Sequence, residues 1–145
     1  MSAAWQEFLD ELARWRDAGR TAEFWWRDDD AARPQRTLSQ LVALAQRTST
    51  PLALAAIPMP SAKESFENLG PLVSVLQHGT DHANRAGRRE KKTEFTPTEA
   101  PAEAIARLAA ARARLEALAG RHFVPVLAPP WNRLPQHLAA HLAAA

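Results

Sequence analysis

The sequence predicts an α/β fold in which about four parallel strands are joined by crossover helices, after an N-terminal amphipathic helix. Two observations carry that reading. Short apolar or aromatic runs alternate with segments whose apolar residues recur every three or four positions. Prolines and glycines stand at most of the junctions between them. The 145 residues suffice for one ordinary domain with its own core. We divide them into a helix over residues 1–20 and an α/β unit over residues 21–145.

Trp5, Phe8, Leu9, Leu12 and Trp15 fall at helical spacing, and Gly19 is the expected stop. Glu23-Phe24-Trp25-Trp26-Arg27 is a short strand-like run that ends in Asp28-Asp29-Asp30. Thr37 and Gln40 form a capping-box pattern ahead of Leu41, Val42 and Leu44, so a helix is expected to start there. The apolar run from Leu52 to Ile57, framed by Pro51 and Pro58, suits a strand buried on both faces. Ser61 to Leu69 reads as a short helix, and Leu72 to Leu76 as the clearest strand. That strand runs directly into Gln77-His78-Gly79-Thr80-Asp81-His82. Arg85 to Thr98 is polar and reads as a long loop, a kind that is often functional or mobile. Pro101 opens a helix with Ile105, Leu108, Leu115 and Leu118 on one side, and Gly120 ends it. His122 to Leu127 is the fourth strand, Ala128 to Asn132 a rigid turn, and Leu134 to Ala145 a last helix.

Composition narrows the function classes. Apolar residues make up 46% and charged residues 23%, the balance of a soluble globular protein. No apolar run is long enough to span a bilayer. Glu7, Asp10 and Glu11 interrupt the region where a signal peptide needs an apolar core, so a cytoplasmic location is expected. The absence of cysteine excludes disulfides and thiolate ligands, so any metal must be held by histidine and carboxylate. The net charge is only +2, and Arg85, Arg88, Arg89, Lys91 and Lys92 read as a solvated loop. We therefore expect neither nucleic acid nor membrane as a partner.

Three constellations carry chemistry. In Asp28-Asp29-Asp30 the ionised carboxylates repel one another, a cost that a divalent cation relieves. The alternative is a polar loop with a helix-capping aspartate. His78 and His82 stand four apart, a spacing that faces two imidazoles the same way on a helical turn. They follow a strand end, where α/β folds place their sites. His137 and His141 share that spacing but lie in an Ala/Leu helix, and they are read with His122 as non-ligating. Pro129-Pro130-Trp131-Asn132-Arg133 fixes the backbone and offers an indole, either a flat wall for a sugar or a plug over the core.

In this order the three segments resemble the motifs of the polysaccharide deacetylase (NodB-homology) family, over roughly residues 22 to 145. Trp26-Arg27-Asp28-Asp29-Asp30-Ala31 is similar to its first motif, His78-Gly79-Thr80-Asp81-His82 to its second, and Leu127-Ala128-Pro129-Pro130-Trp131-Asn132 to its third. The resemblance implies a general base at Asp29 and a divalent metal, zinc by default, held by Asp30, His78 and His82. A register using Asp28 and Asp29 is the alternative. It implies a substrate groove lined by Pro130, Trp131 and Asn132, with Asn84 as a further groove candidate. The arginine that usually precedes the prolines is replaced by Ala128, and Arg27 or Arg133 is the candidate substitute.

The implied activity is metal-dependent hydrolysis of an amide C–N bond in a small or polymeric N-acetylated sugar. The alternative is a non-catalytic metal- or carbohydrate-binding module. The implied fold is a partial (β/α) barrel of the polysaccharide deacetylase type. The sequence stops after its fourth βα unit, so the barrel is expected to be truncated at its C-terminus and to lack the general-acid histidine. An open half-barrel of this kind is expected to pair with a second copy or with a complementing C-terminal half.

Overall fold

A computed structural model describes residues 2–143. The predicted αβ alternation is present: four parallel strands form one sheet in the order β1-β2-β3-β4. They are β1 (Arg27–Ala31), β2 (Leu52–Ala56), β3 (Val73–Gln77) and β4 (Phe123–Leu127). The helices are α1 (Ala3–Asp17), α2 (Arg36–Thr48), α3 (Pro101–Ala119) and α4 (Gln136–Ala143). The last two residues of the expected final helix lie outside the described residues. Among the described residues no helix is long and apolar enough to cross a membrane.

The central strands β2 and β3 pair in register over all five residues of each. Side chains on paired residues alternate between the two faces of the sheet. Leu52, Leu54, Ala56, Val73 and Val75 meet Val42 and Ala45 of α2 and Leu115 and Ala119 of α3 in the main core. A second cluster joins α3 to α4 through Leu108 and Leu138, and takes in Phe95 from the preceding loop. On the other face Val124 and Val126 of β4 stay 36% and 43% exposed.

Several boundaries differ from the sequence reading, each for a physical reason. Strand β1 begins at Arg27, not Glu23, because pairing with β2 starts only at Arg27↔Ala53. Phe24 and Trp25 therefore lie outside the sheet and exposed, with Phe24 edge-on to Phe8 of α1. Helix α1 forms as expected, but none of its residues is fully buried. Helix α2 starts at Arg36, with extended Gln35 before it and no side-chain cap, so Thr37 lies inside the first turn. The short helix expected over Ser61–Leu69 shrinks to one 3-10 turn, Lys63–Ser65. Side chains tie it down instead: Ser61 Oγ donates to Ile57 O, Ser65 Oγ to Ala32 O, and the Arg114 guanidinium to Pro58 O and Ser61 O. The boundaries of α3 match the proline and glycine that announced them.

Candidate metal centre

All four strands run the same way, so their carboxyl ends share one edge of the sheet, where α/β folds place ligands. Asp30 reaches that edge through a bulge. Asp28 pairs with Leu54 and Ala31 with Ala56, so β1 holds one residue more than β2 over the same span. Bulges of this kind re-aim a side chain. Asp30 adopts a left-handed φ of 68°. Its Oδ1 then lies 3.3 Å from His78 Nε2 and 3.1 Å from His82 Nε2.

His78 directly follows β3, and its N–H donates to Ala56 O at 2.8 Å. Its Nδ1 lies 2.8 Å from the carbonyl of Ala128, just past β4. A carbonyl can only accept, so Nδ1 carries a proton and the ring turns its Nε2 toward Asp30. The segment from His78 to His82 contains no helical turn, contrary to the spacing argument. Left-handed turns at Gly79 (φ 64°) and His82 (φ 56°) bring the second imidazole round instead. Gln77 Nε2 steadies the turn by donating to Gly79 O and to Leu108 O. The His82 ring lies 4.3 Å from the indole of Trp131 and 5.2 Å from His78, centroid to centroid.

Backbone strain marks the same place. Five non-glycine residues among those described have left-handed φ, and four of them are Asp30, His82, Trp131 and Asn132. Such conformations cost about 1–3 kcal/mol each and gather at functional sites. A bulky residue such as Trp131 is especially unusual there.

The other expected site residues separate clearly. Arg27 grips Asp29 with two hydrogen bonds, Nε to Oδ1 at 2.7 Å and Nη2 to Oδ2 at 3.1 Å, and also donates to Asn132 Oδ1. Arg133 turns away to Lys92 O, so Arg27 is the arginine on the aspartates. Asp28 stays outside the ligand group, and burial, then the Asp29 and Asp30 charges, raise its pKa. Pro130 is buried below Gly79, whereas Trp131 and Asn132 reach the surface. The Asn84 carboxamide oxygen accepts from the Ala86 and Thr93 amides and pins its own loop. His122 bonds Val73 O at the opposite edge of the sheet, and His137 and His141 lie on α4. Sequence reasoning missed Glu94, which is buried against the segment from Thr80 to His82. The only hint was Phe95 beside it, an apolar residue in an otherwise polar stretch.

Asp81 lies on the rim, held by two hydrogen bonds from Arg85, whose guanidinium lowers its pKa from 3.8 to about 2. The stability this pair contributes is present above the ordinary carboxylate value and is lost as pH falls through about 2. Asp81→Asn should therefore lower the urea midpoint at neutral pH. Its deficit against the wild type should shrink steadily as the pH is taken below about 4. A deficit that does not change with pH would mean that the ion pair is not its source.

Asp30, His78 and His82 each offer one ligand atom, all within 4.8 Å of one another. One carboxylate and two imidazoles form a donor set that suits zinc at an open site. The His78 side chain is 3% exposed and that of Asp30 62%, so the cluster is anchored on one side and open to solvent on the other. No family model, curated protein or solved structure matches the chain.

Proposed function

We propose that the chain is a metal-dependent hydrolase of the polysaccharide deacetylase type, cleaving the amide C–N bond of an N-acetylated sugar or a related substrate. The convergence of Asp30, His78 and His82 at the carboxyl edge of a parallel sheet carries this reading. In it, the four strands are part of a distorted (β/α) barrel. The face bearing Val124 and Val126 is then the barrel interior, to be covered by a complementing half or a second copy.

A zinc or similar ion held by these three residues supplies a Lewis acid and an acidified water. Asp29 is the base that takes the proton of the attacking water. Arg27 occupies two of roughly four lone-pair positions on its carboxylate, fixing its orientation while leaving acceptor capacity on each oxygen. Asn132 holds Arg27 from the other side and so links the first motif to the third. Trp131, packed beside His82, offers its indole as a wall for a sugar ring.

One observation favours a second reading, a metal- or carbohydrate-binding module without turnover. The departing amine needs a proton donor, and His122, His137 and His141 are not in the group that Asp30, His78 and His82 form.

Metal analysis of purified, zinc-reconstituted protein tests the site. About one ion per chain is expected, lost in His82→Ala. Its absence from the wild type would overturn the hydrolase and the metal-binding form of the module. Acetate release from N-acetylglucosamine oligomers would then support the hydrolase, and metal binding without release would support the module.

A further inference from the structure

Glu94 comes from the stretch between β3 and α3 that forms no regular element, yet its side chain is wholly buried, at 0% exposure. A carboxylate is rarely taken out of water without partners that replace its hydration. Here they are consecutive groups of the loop that ends in the His82 ligand. Thr80 N–H donates to Oε1 at 2.8 Å and His82 N–H to Oε2 at 3.2 Å, with Asp81 N–H at a longer 3.4 Å from Oε1. The Thr80 hydroxyl donates to Oε1 as well.

These contacts follow from the shape of the loop. Between His78 and His82 the chain passes through left-handed conformations at Gly79 and His82. Successive amides in such a turn point into one concavity, which suits an anion. Glu94 is the anion that the chain itself supplies. Its oxygens face these amides and lie outside the group of converging ligand atoms, so it is not a fourth ligand.

The two histidines are therefore anchored differently. His78 is held by the Ala128 carbonyl through its own ring. The ring of His82 has no backbone acceptor of that kind: it packs against Trp131 and His78 and meets Asp30 Oδ1 at 3.1 Å, so its placement depends more on its backbone. Without the carboxylate, the amides of Thr80, Asp81 and His82 lose this acceptor, and the left-handed backbone at His82 loses the hydrogen bond on its own N–H.

We propose that Glu94 is the positioning residue of the metal centre: it holds His82 in its ligating conformation and thereby couples metal binding to the folding of the segment between β3 and α3. The inference rests on the metal-site reading above. Coupling is reciprocal, so a bound metal must stabilise the seat of Glu94 by the factor that Glu94 adds to metal affinity.

Zinc titration against a chromophoric chelator tests it, together with the visible spectrum of the cobalt-substituted protein. Glu94→Gln keeps the size of the side chain but replaces one acceptor oxygen by an NH2 group. It is expected to weaken zinc binding about 10- to 100-fold and to alter the cobalt bands, because His82 is misplaced. Val42→Ala, a core change on α2, serves as the control. It should lower the melting temperature while keeping wild-type affinity and spectrum.

Wild-type affinity and spectrum in a folded Glu94→Gln protein would overturn the inference while leaving the metal site standing. So would an equal loss of affinity in Val42→Ala, which would make the effect one of general stability. A wild type that binds no zinc would overturn the metal site itself, and this inference with it. If Glu94→Gln does not fold, hydrogen exchange in the wild type decides. Saturating zinc should slow exchange at the Thr80 and His82 amides and across Thr93–Phe95. Unchanged exchange there would overturn the coupling.

Discussion

Asp29→Asn is expected to lower turnover about 100- to 10,000-fold while the chain still takes up zinc, the range lost with a general base. Asp30→Asn is expected to lose the zinc itself. The two residues are neighbours, but the bulge in β1 sends their side chains to different partners. Asp29 faces the guanidinium of Arg27, and Asp30 shares one oxygen between two imidazoles. Asparagine keeps the size of either residue but cannot accept a proton at neutral pH, and it is a weaker ligand than a carboxylate. Asp28→Asn should retain both zinc and turnover, since Asp28 pairs alongside Leu54 and takes no part in the ligand group. The three variants, measured for zinc content and for acetate release, assign all three aspartates. Loss of zinc in Asp29→Asn and loss of turnover alone in Asp28→Asn would move the register back by one residue.

The alternation of strands and helices was legible because it rests on local signals. Pro101 and Gly120 mark the ends of α3, and the apolar run framed by Pro51 and Pro58 suits the buried strand that β2 is. The candidate ligands Asp30, His78 and His82 were legible only through the resemblance of three motifs to a known family, not through local propensity. What brings them together was not. The residues from Glu23 to Trp26 have strand-like character, but the contact with β2 begins at the Trp26 carbonyl, which accepts from Ala53 N–H, so the ladder starts at Arg27. The bulge at Asp29 and Asp30 is a property of two strands in register, which neither sequence shows alone. The spacing of His78 and His82 suggested a helical turn, and the structure reaches the same convergence through left-handed backbone. That route needs an internal anion twelve residues further on, and hydrogen bonds of such sequence separation leave no periodicity to read.

Gly79→Ala is expected to cost about 3 kcal/mol of stability, the sum of a left-handed alanine and an overpacked contact. The backbone at Gly79 has φ 64°, where any Cβ is strained. A Cβ there would also lie 2.1 Å from Glu94 Oε2 and 2.7 Å from Pro130 Cγ. Neither neighbour can easily retreat: Glu94 is held by the amides it serves, and Pro130 is a buried ring in a tight turn. The second motif, the third motif and the loop carrying Glu94 thus meet at one missing methyl group. Gly70→Ala separates the two contributions. Its φ is 73°, but a Cβ there would meet only the amide end of Gln46, a flexible side chain that can move aside. It should therefore lose only the backbone part, about 1–2 kcal/mol. Urea unfolding measures both, as a shift in midpoint without a change in slope. Zinc affinity should fall in Gly79→Ala and hold in Gly70→Ala, because only the first displaces the carboxylate beneath His82. Equal losses in the two variants would show that the backbone alone sets the cost and that the packing of Glu94 and Pro130 against Gly79 has room to spare.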